Sequence, residues 1–107
     1  MKHGPIALLD DQTPVVCVAT DSHVAHKLAS NLQEVRARGP QVIAVATEGA
    51  EAIVDVADDI LWIPRTSPLL QPVLAVIPLQ LLAYHIAQLR GLDVDQPRNL
   101  AKTVTVE

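Results

Sequence analysis

The chain has 107 residues, half of them apolar, with 19% charged and a formal net charge of −4, so it can form one small packed core and not two. Eight Lys plus Arg against twelve Asp plus Glu, with one Trp, one Tyr and no Phe, exclude the basic face and stacking platform of a nucleic-acid binder. A single Cys excludes an internal disulfide framework and a cysteine-rich zinc site.

Three short apolar runs have strand character. Val15-Val16-Cys17-Val18-Ala19 follows Thr13-Pro14 and stops at Thr20-Asp21-Ser22. Val42-Ile43-Ala44-Val45-Ala46 lies between Gly39-Pro40 and Thr47-Glu48-Gly49, and Ile60-Leu61-Trp62-Ile63 between Asp58-Asp59 and Pro64. The runs are continuous rather than alternating, the pattern of strands covered on both faces, as in a parallel sheet. Between the first two, Asp21 or Ser22 is placed to cap a helix whose inward face is Val24, Leu28, Leu32 and Val35, ended by Gly39-Pro40. Residues 48–56 hold a shorter helix with Ala52 and Val56 inward. Two strand–helix–strand units in succession predict a short parallel α/β sheet of about three strands.

Ser67-Pro68 reads as the start of an apolar helix over 69–89, with Leu79, Leu82, Ile86 and Leu89 in step. Pro72 and Pro78 predict a kink or a break into two pieces. Arg90 and Gly91 supply a C-terminal cap. The apolar stretch 69–82 is interrupted by Gln71, Pro72, Pro78 and Gln80 and falls short of the roughly 20 residues that span a bilayer. No secretory signal opens the chain. A soluble, cytoplasmic protein is expected. The helix is nonetheless apolar over too much of its circumference for a solvated surface, and predicts packing against protein outside these residues. From Leu92 onward there is no periodicity, only a turn-rich connection and a short tail.

Chemistry has few places to sit. His3, beside Gly4-Pro5, is either a solvated terminal residue or an acid–base group titrating near neutrality. Lys102, between Ala101 and Thr103, is either a solvated lysine or, if its surroundings lower its pKa, an amine able to attack a carbonyl. His23 and His26 make at most half a metal site, and no third ligand is evident. His85 reads as a core or interface histidine, Asp93 and Asp95 as a solvated turn, and Cys17 as an inert buried thiol. There is no Gly-rich phosphate loop and no nucleophile elbow; no metal and no cofactor is expected.

The tail, Asp93-Val94-Asp95-Gln96-Pro97-Arg98-Asn99-Leu100-Ala101-Lys102-Thr103-Val104-Thr105-Val106-Glu107, resembles the C-terminus of the glucosamine-6-phosphate synthase family, the isomerising glutamine–fructose-6-phosphate aminotransferases. Lys2-His3-Gly4-Pro5, Glu34-Val35-Arg36-Ala37-Arg38-Gly39 and Val76-Ile77-Pro78-Leu79-Gln80-Leu81-Leu82-Ala83-Tyr84-His85 resemble it too. The resemblance implies a partial flavodoxin-like sugar isomerase (SIS) subdomain over 1–91 and an active-site tail over 92–107. It implies Lys102 as the lysine that forms a Schiff base with the open-chain keto sugar. Ala101 would line the sugar through its backbone, and His3 would assist ring opening, reaching a neighbouring subunit's site. The implied small-molecule partners are fructose 6-phosphate and glucosamine 6-phosphate; the implied protein partners are the remaining synthase domains or further copies of the chain.

Family features are also missing. The glutaminase cysteine has no counterpart, since Cys17 lies in a strand, and the Ser/Thr-rich phosphate loop and the glutamate base lie outside this sequence. Met1 directly before Lys2 reads as a start inside the domain. The resemblance therefore implies a C-terminal fragment that is inert alone. The alternative is a stand-alone SIS module that binds a phosphosugar or a protein partner without catalysis.

Overall fold

A computed structural model describes residues 4–96. The three apolar runs form strands β1 (Val15–Ala19), β2 (Val42–Thr47) and β3 (Asp59–Ile63), paired in parallel in the order β1-β2-β3. Val15 stands opposite Val42, and Ile43 opposite Asp59. Each run differs from its expected bounds by one residue at most. Valine and isoleucine suit a pleated surface because their branched β-carbons pack well there.

Alternation along the strands divides the core in two. Cys17, Ala19, Ala44 and Ala46 face one way, toward helices α1 (Ala25–Arg36) and α2 (Glu51–Val54), and pack with Ala29, Leu32, Val35 and Ile53. Val45, Leu61 and Ile63 face the other way and pack against Ala75, Leu74 and Leu79 of helix α3 (Gln71–Leu89). The small side chains on the first face let α1 approach closely. Val42, Ala44, Val45 and Ala46 are completely buried, which makes β2 the axis of the fold.

Four local expectations are corrected. Helix α1 begins at Ala25, not at a side-chain cap on Asp21 or Ser22. The Ser22 hydroxyl accepts the Val24 N–H at 3.4 Å, and the Asp21 N–H is committed to the Thr47 hydroxyl oxygen at 3.0 Å. Val24 is accordingly exposed. In α2 the inward residue is Ile53, not Ala52, which is exposed; Val56, just past the helix end, is buried as expected. The helix lasts one turn, too short for the longer register to apply. Helix α3 starts at Gln71, later than Ser67-Pro68, whose segment makes a turn in which the Ser67 carbonyl accepts the N–H groups of Leu70 and Gln71. It is also one helix, not two pieces. Pro72 falls in the first turn, where the missing donor has no intrahelical role. Pro78 costs one backbone bond, and Ala75 and Leu79, seated on the sheet on either side of it, hold the two halves together.

The end of α3 follows expectation. Gly91 has φ +67° and donates its N–H to the Gln88 carbonyl at 2.9 Å, while Leu92 N–H reaches the Ala87 carbonyl at 2.9 Å. That pair of bonds is a Schellman cap. Among the described residues α3 alone is long and apolar enough to cross a membrane, with a mean hydropathy of 1.5. Length and composition are all that support that reading. The inner side of its first half is seated on a parallel sheet, around Ala75.

Candidate functional site

Parallel α/β sheets bind ligands outside the carboxyl ends of their strands, because the loops there leave free backbone groups and a crevice. This sheet has such a crevice, of about 290 Å³, lined by Thr20, Asp21, Thr47, Glu48, Gly49 and Arg65 among others. Thr47 closes its floor: the side chain is buried, and its oxygen accepts the Asp21 N–H, tying the end of β1 to the end of β2. Arg65 leans across the rim, its Nη2 donating to the Glu48 carbonyl at 3.5 Å. Gly49 has φ +88°, and a β-carbon there would come within 3.2 Å of that same Nη2. The lining offers hydroxyls, carboxylates and one guanidinium, a set that can hold polar groups.

A second, larger groove of about 660 Å³ runs beside the C-terminal half of α3, lined by Tyr84, Ala87, Leu92 and Val94 among others. The Tyr84 hydroxyl accepts from Gln88 Nε2 at 2.9 Å, and the His85 ring stands edge-on to Tyr84 with centroids 5.4 Å apart. Past the cap, the Asp93 carboxylate accepts the N–H groups of Asp95 and Gln96 at 2.9 and 3.1 Å, an Asx turn that aims the chain toward its tail.

His3 and Lys102, on which the sequence reading placed catalysis, and Ala101, expected to line the sugar, lie outside the described residues. His23 and His26 are exposed at the start of α1, and no cluster of three or more metal-ligating side chains occurs among the described residues. His85 is exposed in this chain, which corrects the core reading. Asp93 and Asp95 form a turn. Cys17 is buried in the α1-facing core, and the loss of solvent pushes its thiol above the usual value. Sequence reading missed Thr47 and Arg65. Their signal was positional: each stands at or just after the end of an apolar run, where crevice residues sit.

Residues 1–90 match the model of the SIS domain. All 107 residues align with the isomerising glutamine–fructose-6-phosphate aminotransferase of Thermus thermophilus at 62% identity, and with that of Gloeobacter violaceus at 58%. The chain spans 18% of the length of each. Among solved structures, the C-terminal domain of the glucosamine-fructose-6-phosphate aminotransferase of Francisella tularensis superposes with a TM-score of 0.82 at 41% identity, over 89% of this chain and 27% of that one. The sequence as a whole thus corresponds to the C-terminal part of these aminotransferases. With its parallel sheet, flanking helices and a family match running from residue 1 to residue 90, the chain belongs to the SIS domain family.

Proposed function

We propose that this chain supplies the end of the isomerase domain of a glutamine–fructose-6-phosphate aminotransferase, which makes glucosamine 6-phosphate from fructose 6-phosphate and glutamine in the cytoplasm. The observation that carries the reading is where the similarity stops. The SIS match ends at residue 90, whereas the identity to the aminotransferases continues through residue 107. A shared fold accounts for the first stretch. The second aligns with the aminotransferases named above and contains Lys102.

In this reading residues 1–91 are part of an SIS subdomain and 92–107 an active-site tail. Lys102 condenses through its neutral Nζ with the C2 carbonyl of the open-chain sugar, releasing water and leaving an imine. Ala101 borders the sugar through its backbone. His3 moves a proton during ring opening. On this reading the phosphate-binding loop and the general base come from the rest of the synthase, and the chain alone lacks the positioning that such chemistry requires. The rest of the synthase is its partner.

Trapping with borohydride tests this. Reduction converts the imine to a stable secondary amine, so an occupied Lys102 gains the mass of the sugar phosphate. The chain alone should remain unlabelled by fructose 6-phosphate. A fusion to the upstream portion of the Thermus thermophilus enzyme should label at Lys102, and Lys102→Arg should abolish the label because a guanidinium stays charged. Stoichiometric labelling of the isolated chain would overturn the claim that the missing parts are needed. A fusion that converts substrate but leaves Lys102 unlabelled would overturn its role.

A further inference from the structure

The crevice at the carboxyl ends of the strands carries charge of both signs and does not pair it internally. Asp21 follows β1, Glu48 follows β2, Glu51 opens α2 and Arg65 follows β3, and all of them line it with exposed side chains. Among the described residues Arg65 makes no ion pair with any of these carboxylates. Its Nη2 donates instead to the Glu48 carbonyl, and only at 3.5 Å. The ion pair of Arg36 with Asp58 lies at the opposite end of the sheet.

Thr47 stands between the charges. Its side chain is 1% exposed, and its oxygen accepts the Asp21 N–H at 3.0 Å. A hydroxyl has a proton to give as well as lone pairs to offer. Among the described residues no acceptor takes the Thr47 proton, although buried polar groups are ordinarily satisfied. The residue lines the crevice, so an oxygen placed there would complete its bonding.

The sheet sets the spacing of the charges. Strands β1 and β3 flank β2, and neighbouring strands lie about 4.8 Å apart, so the segments carrying Asp21 and Arg65 leave the sheet about 10 Å apart. A volume of about 290 Å³ is at the small end of the range for ligand pockets. Together these fit a molecule about one ring in size with a charge at each end.

We propose that this crevice binds a small zwitterion. Its ammonium group lies on the side of Asp21 and Glu51, and its anionic group meets the Arg65 guanidinium, whose fork matches carboxylate and phosphate alike. An oxygen between the two ends takes the Thr47 proton. Amino acids and amino-sugar phosphates share this chemistry. A plain anion fits less well, because three carboxylates against one guanidinium leave the lining net negative. A plain cation leaves Arg65 without its counter-charge. The inference stands on the crevice alone, and the role given to Lys102 does not enter it.

Titrations of the isotope-labelled chain, followed by NMR, test it. 6-Aminohexanoate carries both charges, and hexylamine and hexanoate one sign each. Glucosamine 6-phosphate and glucose 6-phosphate make the same comparison for a sugar phosphate. The zwitterion that binds tighter identifies the source, amino acid or amino-sugar phosphate. It should shift the amides of Asp21, Thr47 and Arg65 and leave those of Tyr84 and Leu92, beside the other groove, unmoved. It should also bind about 10-fold or more tighter than each counterpart lacking one charge, the scale of one charge-assisted hydrogen bond. Asp21→Asn and Arg65→Gln change exposed side chains and keep the backbone bond from residue 21 to Thr47. Both should retain the circular dichroism of the chain, and each should weaken binding by about 10-fold.

A zwitterion binding no better than its counterpart with one charge removed would overturn the proposal. So would shifts centred on Tyr84, full affinity of both variants, or no shift at the crevice with either zwitterion at about 20 mM. Any of these results leaves the borohydride test of Lys102 unaffected.

Discussion

Asp58 closes the bottom of the sheet, and its replacement separates a hydrogen bond from an ion pair. Its backbone N–H donates to the Val42 carbonyl and its Oδ2 accepts the Val42 N–H, both at 2.8 Å, so one residue satisfies both polar groups of a completely buried strand residue. Its Oδ1 lies 3.5 Å from Arg36 Nη2, in a pair whose side chains are 48% and 36% exposed. Arg36 also donates through Nη1 to the Asp55 carbonyl at 2.7 Å, so the guanidinium keeps a partner if Asp58 is lost. Asp58→Ala leaves the Val42 N–H without its acceptor, which costs about 1–3 kcal/mol. The half-exposed ion pair adds under about 1 kcal/mol because water screens it. About 2 kcal/mol in total lowers the melting temperature of a domain this size by roughly 10 °C. Asp58→Asn keeps an acceptor of the same shape and loses only the charge, so it should cost about 0.5 kcal/mol. Urea unfolding of the full chain, followed by circular dichroism, measures both midpoints at unchanged slope. Asn costing as much as Ala would show that the charge carries the effect. Ala costing less than about 0.5 kcal/mol would show that the Val42 bond contributes nothing.

Ile53→Ala should destabilise by about 2–5 kcal/mol, since Ile53 is the buried anchor of a four-residue helix; a urea midpoint within error of the unmodified chain would refute its place in the core. Gly91→Ala places a β-carbon at φ +67° and should cost about 1 kcal/mol, read as loss of amide protection at Leu92, whose N–H reaches back to the Ala87 carbonyl in the cap. Cys17 links stability to pH. Its thiol is raised by burial, so the unfolded chain ionises first: stability is full below the ordinary thiol range and falls as pH rises through it, until the folded thiol ionises too. Comparing urea midpoints at about pH 7 and about pH 10 should show a drop larger in the native chain than in Cys17→Ala; equal drops would refute the assignment.

The strands were legible because continuous Val, Ile and Ala runs bounded by breakers have few other uses in a short α/β chain. Helix boundaries were legible only where backbone geometry imposed them. Gly91 announced its cap because the left-handed region favours glycine. The start of α1 was misread because Asp21 and Ser22 have the right side chains for a cap, and only the tertiary contact between Asp21 and Thr47 shows that the loop is committed elsewhere. Pro72 looked like a break because nothing local tells an interior proline from one in a first turn. The crevice was legible only as a position, the ends of the apolar runs, and not in its residue types. Thr47, Glu48 and Arg65 are ordinary residues one by one, and they become a set only when two crossovers bring the strand ends side by side.

The role given to Lys102 comes from resemblance alone, and the physics shows why. An amine attacks a carbonyl only when neutral, and neutrality near pH 7 needs burial or neighbouring positive charge. Ala101 and Thr103 encode neither. What is local in the sequence is therefore silent about the reaction, while the tail as a whole resembles one enzyme class. The same division runs through the fold. Its inner layers, around Val45 and Val35, are closed by residues of this chain, and the sequence pattern finds them. Helix α3 shows where closure ends. The stripe Ala75, Leu79, Leu82, Ile86, Leu89 begins 4% exposed on the sheet and ends 88% exposed, with no change in residue character. A helix of 19 residues is about 28 Å long, against about 20 Å for the longest strand beneath it, so its last turns overhang the sheet. Leucine and isoleucine stand exposed at the overhang, while Leu74 and Leu79 of the same helix pack on the sheet.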